Sequence, residues 1–293
     1  MPILIKKELL NLADINEIPV TNDYYNYITE RLIQKADNPK QTKTDKTPTF
    51  KPNEDLGEGI ATKEELNYRT DLIGLLPTSY NALIDLAKDN TITTSQVKQE
   101  TNSITNNKQI INNNLHDMFN PAVDKANTNL QNLKHDIKTI TPPLSTLNSL
   151  QNQQQYNLQN ISSTINDKIT MGLQVCQVQN QSREKYDCPT EDDINSAYNQ
   201  AQNRLDIMGW FGWSNAVSIG LYSVYSSAIF GGLIASNIVA DWEDVGDEHE
   251  CDDCFALAAG GPYSVLYFPL PPHLGCRCDQ GEPYFGTPNE SPV

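Results

Sequence analysis

Charge is missing from one long stretch of this 293-residue chain, and positive charge is scarce over its C-terminal third. From Ile207 to Ala240, 34 residues pass without an Asp, Glu, Lys or Arg. Residues 171–293 hold four basic groups against 17 acidic ones, so they carry −13 of the formal net charge of −16. Such a surface repels phosphate, which argues against direct nucleic-acid binding by this part of the chain. Cysteine is also sparse, six in all. Small oxidised scaffolds are cysteine-dense, so a disulfide framework is not indicated. Lys6, Lys7 and Glu8 stand where a secretory leader would need an apolar run. A reducing compartment is the expectation.

Catalytic signatures are absent too. There is no P-loop, no dinucleotide-binding glycine motif and no His-Glu-x-x-His. The acidic run from Asp241 to Asp253 fails as a calcium loop, because Val245 takes a ligand position and no glutamate closes it. His249, His273 and Cys276 do not make a separate base–nucleophile pair. The expectation is a protein that is not an enzyme.

The charge-free run has two readings. Residues 216–240 are long enough to span a bilayer, which takes about 20 residues, and Trp210, Trp213 and Trp242 flank them. Yet Ser, Asn and Tyr interrupt the run, and no Lys or Arg stands close by on either side. A buried core helix is the preferred reading and a membrane-inserting segment the alternative. Gly231-Gly232 would permit a close helix approach at some cost in helix propensity.

Residues 1–90 read as a helical N-terminal region with a flexible linker or extended arm. Ile3, Leu9, Leu10 and Ile15 fall at helical spacing before Pro19, and Tyr24, Tyr25, Ile28 and Leu32 mark a second helix. Residues 38–59 are rich in Lys, Thr, Pro and Asp and form the linker. A further helix spans about 63–88, burying Leu66, Leu72, Leu75 and Leu76 and bent near Pro77.

Residues 91–173 are rich in amides: 24 of the 80 residues between Thr91 and Thr170 are Asn or Gln, and only 11 are charged. Apolar residues recur in heptads, first Val97, Ile104, Ile111 and Met118, then Val123, Leu130 and Ile137 alternating with Ala126, Leu133 and Ile140. That pattern predicts an elongated, coiled-coil-like helix over 97–140, with Asn129 and Gln131 off the seam. Pro142-Pro143 breaks it. Leu147, Leu158, Ile161, Ile165 and Ile169 then begin a second helix, which either folds back or extends a jointed rod. One apolar stripe does not stabilise a lone helix, so a partner helix is required.

Residues 174–293 carry the one specific motif. Cys251-x-x-Cys254 and Cys276-x-Cys278 are short pairs, 21 residues apart, and His273 is a fifth donor beside the second pair. Thiolates are soft ligands that hold Zn²⁺ tetrahedrally at closed structural sites. Disulfides between the two pairs are the alternative. Cys176 and Cys188 read as separate thiols or one lone pair.

Around these cysteines lie Trp242, the run Asp247-Glu248-His249-Glu250 into Cys251-Asp252-Asp253-Cys254, the turn Gly260-Gly261-Pro262-Tyr263, and Pro271-Pro272-His273 leading to Cys276-Arg277-Cys278. This order resembles the phage Mu F-like minor head protein domain, over roughly residues 195–281. The resemblance implies a minor structural protein of a tailed-phage head, in the virion at or inside the portal vertex. Its implied work is head assembly or genome delivery, with portal or other capsid proteins as partners and membrane contact during delivery as an option. The fold expected is mainly α, with a small α+β zinc-clasped C-terminal domain and a helical middle that self-associates. Two further readings stay open: a membrane-inserting phage protein using residues 216–240, and a zinc-binding adaptor with a coiled-coil arm.

Overall fold

The computed structural model describes residues 47–52, 62–89, 91–143, 145–180, 191–243, 252–269 and 278–289. The helices expected over 3–15 and 23–33, and the linker apart from 47–52, lie outside them. The chain is mainly helical, with a small antiparallel sheet near the C-terminus. Seven helices are described: α1 (Thr62–Ile73), α2 (Leu76–Lys88), α3 (Thr94–Ile104), α4 (Lys108–Leu133), α5 (Ser145–Asn180), α6 (Glu191–Phe230) and α7 (Asp252–Gly260).

The helix expected over 63–88 is two helices. α1 ends at Ile73, Gly74 and Leu75 turn the chain, and Pro77 sits in the first turn of α2. A proline there gives up an N–H that has no helical partner anyway, so it starts a helix instead of bending one. α3 begins with a reciprocal cap: Thr93 Oγ1 accepts the Gln96 N–H at 3.3 Å, and Gln96 Oε1 accepts the Thr93 N–H at 3.0 Å.

The helix expected over 97–140 is likewise interrupted. It breaks at residues 105–107 and ends at Leu133. Val97, Ile104, Ile111, Met118, Ala126 and Leu130 are all fully or almost fully buried, so the heptad stripe does face a core. On α4 it faces mainly α6 of the same chain, on α3 it faces α5 and α2, and no coiled coil is shown among the described residues. Beyond Leu133, residues 134–143 run outside any helix, and α5 then folds back along α3. Ser162 Oγ donates to the Thr101 carbonyl at 2.7 Å and Gln155 Nε2 to the Thr105 carbonyl at 3.1 Å, which makes α3 and α5 antiparallel. The chain folds back at Pro142-Pro143 and does not continue as a rod.

Most of the charge-free run lies in α6, the central helix, which ends at Phe230. The helix expected over 216–240 therefore stops ten residues early, and the run closes in a turn and strand β1 (Ile238–Ala240). A helix apolar on all sides must be enclosed, and nearly every residue from Leu205 to Val217 is buried, Trp210 and Trp213 included. The sequence assigns α6 to the C-terminal unit, yet it packs on α1, α2, α4 and α5, all N-terminal to it. α1 and α2 run antiparallel to it, and α4 runs parallel. Glycines set the approach: a Cβ on Gly209 would stand 2.6 Å from Arg69 Cγ, one on Gly212 2.5 Å from Tyr68 Cε1, and one on Gly220 2.9 Å from the Phe119 carbonyl oxygen. Gly231-Gly232 do something else. They end α6, with Gly232 at φ +68° and the Leu233 N–H bonded to the Ala228 carbonyl at 2.9 Å. No helix among the described residues is long and apolar enough to cross a membrane.

Candidate functional site

After α6 the chain builds two small ladders. β1 (Ile238–Ala240) is flanked antiparallel by β3 (Tyr263–Ser264) and β5 (Tyr284–Phe285), while β2 (Trp242–Glu243) pairs with β4 (Asp279–Gln280). β1 is buried at all three positions, which its Ile-Val-Ala sequence permits.

β2 organises the cysteine region. Trp242 is 4% exposed and stacks on Phe268, with ring centroids 5.7 Å apart and planes 15° from parallel. Tyr263 meets the same Phe268 edge-on at 5.9 Å, and its hydroxyl donates to the Leu257 carbonyl in α7 at 2.8 Å. α7 in turn packs against β2. Cys254 lies in the first turn of α7 and is 1% exposed, and Cys278, which directly precedes β4, is 9% exposed. The elements bearing these two thiols therefore both lie against β2. The Trp242 indole N–H is buried and finds no acceptor among the described residues. Lys125 Nζ donates to the Gln280 carbonyl at 3.4 Å, tying β4 to α4.

The other expected ligands, Cys251, Cys276 and His273, lie outside the described residues, as do His249 and Cys188. Among the described residues, no group of three or more His, Cys, Asp or Glu is arranged to hold a metal. Cys254 and Cys278 are both free, buried thiols, the soft donor type that structural zinc sites use.

Two polar features of the bundle escaped the sequence reading. One is a charged cluster inside the core. Arg69 Nε donates to Asp206 Oδ1 at 2.7 Å and Nη1 to Glu65 Oε1 at 3.1 Å, with all three side chains at most 12% exposed. Burial pushes the Glu65 carboxyl above its usual value, partly countered by Arg69. Burial also works against the Arg69 cation, but the two carboxylates outweigh it and its pKa rises. The signal was present as Glu65 and Arg69 at i, i+4 beside buried Tyr68 and Leu72. The second feature is a cleft of about 590 Å³ between α1 and the α3–α4 junction, lined chiefly by amides with the carboxylates of Asp71 and Asp117. Thr70 supplies the one hydroxyl in its lining.

No family model, characterised protein or solved structure matches the chain.

Proposed function

We propose that this chain is a minor structural protein of a tailed-phage head, seated at or inside the portal vertex and acting in head assembly or genome delivery. The observation behind this reading is the Mu F-like motif, whose Trp242, Cys254 and Cys278 converge on a single strand. Trp242 belongs to β2, Cys254 to the helix packed on it, and Cys278 adjoins the strand paired with it. A Zn²⁺ ion held by Cys251, Cys254, Cys276 and either Cys278 or His273 would close this loop. Metal binding supplies folding energy where a small core is insufficient. The partners are portal or other capsid proteins, together with further copies of this chain through its helices. DNA is not a partner, because the −13 balance of residues 171–293 opposes phosphate contact. The membrane-inserting alternative draws no support from the bundle, which encloses most of the charge-free run.

Purified virions test the proposal. The protein is expected in portal-containing particles by mass spectrometry, and the purified chain should not retain duplex DNA at physiological salt. Deleting its gene should leave capsids that assemble but deliver genomes poorly. Absence from virions, or tight and salt-sensitive DNA binding, overturns the reading.

A further inference from the structure

The segment Thr47-Pro48-Thr49-Phe50-Lys51-Pro52 lies outside any helix or strand, yet it is held in a defined seat on the face formed by α2 and α6. Gln202 of α6 reads its backbone. Gln202 Oε1 accepts the Phe50 N–H at 2.8 Å, and Nε2 donates to the Lys51 carbonyl at 3.0 Å and to Thr49 Oγ1 at 3.3 Å. One carboxamide thus satisfies a donor and an acceptor of the segment, as a neighbouring strand would. The Phe50 ring packs edge-on to Tyr80 at 5.1 Å, and Tyr80 packs edge-on to Tyr198 at 5.3 Å. Tyr80 is fixed from behind, its hydroxyl donating to Asn195 Oδ1 at 2.7 Å. Pro48 is buried.

Phe50 has φ +50°, the left-handed region that side-chain-bearing residues avoid at a cost of about 1–2 kcal/mol. A free peptide would not hold that conformation by its own preference. The seat imposes it, through the amide clamp and the aromatic anchor, so the surface is shaped to recognise this segment.

None of these contacts requires that segment and seat belong to the same molecule. We propose that the α2–α6 seat is a docking site for the Thr47–Pro52 segment of a second copy of this chain, so that adjacent copies are linked by exchange of this arm. The geometry of the connection makes exchange accessible. Arg69 of α1 lies by Asp206 and Gly209 of α6, and α1 runs antiparallel to α6. Thr62, seven residues before Arg69, is therefore displaced from Gln202 by roughly 20 Å along the axis at about 1.5 Å per residue. Residues 53–61 reach about 30 Å when extended, enough to serve either the same copy or a neighbour. In dilute solution the arm's own tether gives it an effective concentration on the order of millimolar, which favours its own seat. Where copies are packed side by side, the neighbour's arm competes on equal terms. The inference rests on the bundle alone and stands apart from the head-protein reading.

Shortening the tether tests it in the full chain. Removing residues 54–59 leaves three residues, which span only about 10 Å and cannot return the arm to its own seat. Light scattering should then show at least a doubling of mass over the unshortened chain, as happens when a short hinge forces a swap. Adding Gln202→Ala or Phe50→Ala should restore the original mass. In parallel, a labelled peptide covering residues 43–53 should bind the full-length Phe50→Ala chain saturably, and at least tenfold more weakly when Gln202→Ala is added. An unchanged mass on shortening, an increase that Gln202→Ala does not reverse, or no peptide binding to the Phe50→Ala chain each overturns the proposal.

Discussion

Asn127 holds Ile140 by both of its backbone groups: Oδ1 accepts the Ile140 N–H at 2.7 Å, and Nδ2 donates to the Ile140 carbonyl at 2.9 Å. A side chain on α4 thereby fastens the segment after it, residues 134–143, across the helix end, and Ile137 is carried into the core at 7% exposure. Asn127→Ala leaves two partly buried backbone groups without this partner, at an expected cost of about 1–3 kcal/mol. The measurement is a lower urea midpoint with an unchanged m value. A variant as stable as the parent would show that the clasp is replaceable.

The same residue shows what was legible in the sequence and what was not. Ile137 and Ile140 continue the heptad arithmetic of Leu130 and Leu133, so periodicity alone extends the helix through them. They reach the core from an irregular segment that an asparagine pins down, and no spacing rule encodes that. Asn129 teaches the same lesson. Counted as off the seam, it is 7% exposed, and its Nδ2 donates to Tyr225 Oη at 3.1 Å. Burial of the charge-free run was readable because 34 residues without charge need enclosure. Its packing glycines were not, because Gly209, Gly212 and Gly220 look no different in sequence from Gly231 and Gly232. In the cysteine region, the motif identified donors, while the order of strands around β2 depends on pairings between residues some 40 positions apart that no local pattern reveals. Leu130→Asp should disrupt the bundle, and Asn129→Ala should cost about 1–3 kcal/mol in place of the silence its heptad position suggests.

The buried cluster of Glu65, Arg69 and Asp206 sets a pH dependence. Because burial raises the Glu65 pKa, the folded state binds more protons than the unfolded chain between the ordinary carboxyl value and the folded one. This group's contribution therefore declines as pH rises from the ordinary glutamate range through the raised folded value. Glu65→Gln should flatten that decline in denaturation series across the window. Arg69→Ala should be far more severe, about 3–5 kcal/mol, since it strands two carboxylates in the core. A pH profile identical in Glu65→Gln and parent would remove Glu65 from the account.

Gly220 within α6 and Gly232 just beyond its end should fail for different reasons when substituted. Gly220→Val drives side-chain atoms into the Phe119 carbonyl and Ala122 on α4, and such overpacking costs about 1–3 kcal/mol or more. Gly232→Ala meets nothing within 4 Å, but it must hold φ +68°, so about 1 kcal/mol is expected from backbone strain alone. Asn tolerates the left-handed region better, so Gly232→Asn should recover part of that loss while Gly220→Asn should not. Equal rescue at both sites would contradict the division between packing and termination.

The proposed zinc clasp makes the last prediction. Cys254 and Cys278 are buried on elements that share β2, so a metal binding both would lock α7 and β4 to that strand. Protein purified under reducing conditions should carry one zinc per chain by elemental analysis, and Cys254→Ala should abolish it. Cys278→Ala and His273→Ala distinguish the fourth ligand, since only one of the two should lose stoichiometric metal. Removing zinc with a chelator should disturb the Trp242–Phe268 stack, seen as a change in near-ultraviolet circular dichroism. The helical signal of the bundle should persist, because the buried apolar residues between Tyr68 and Ala228 include no cysteine. A metal-free protein with an intact disulfide between the two cysteine pairs would replace the clasp by a covalent bond, and with it the reason to expect a reducing compartment.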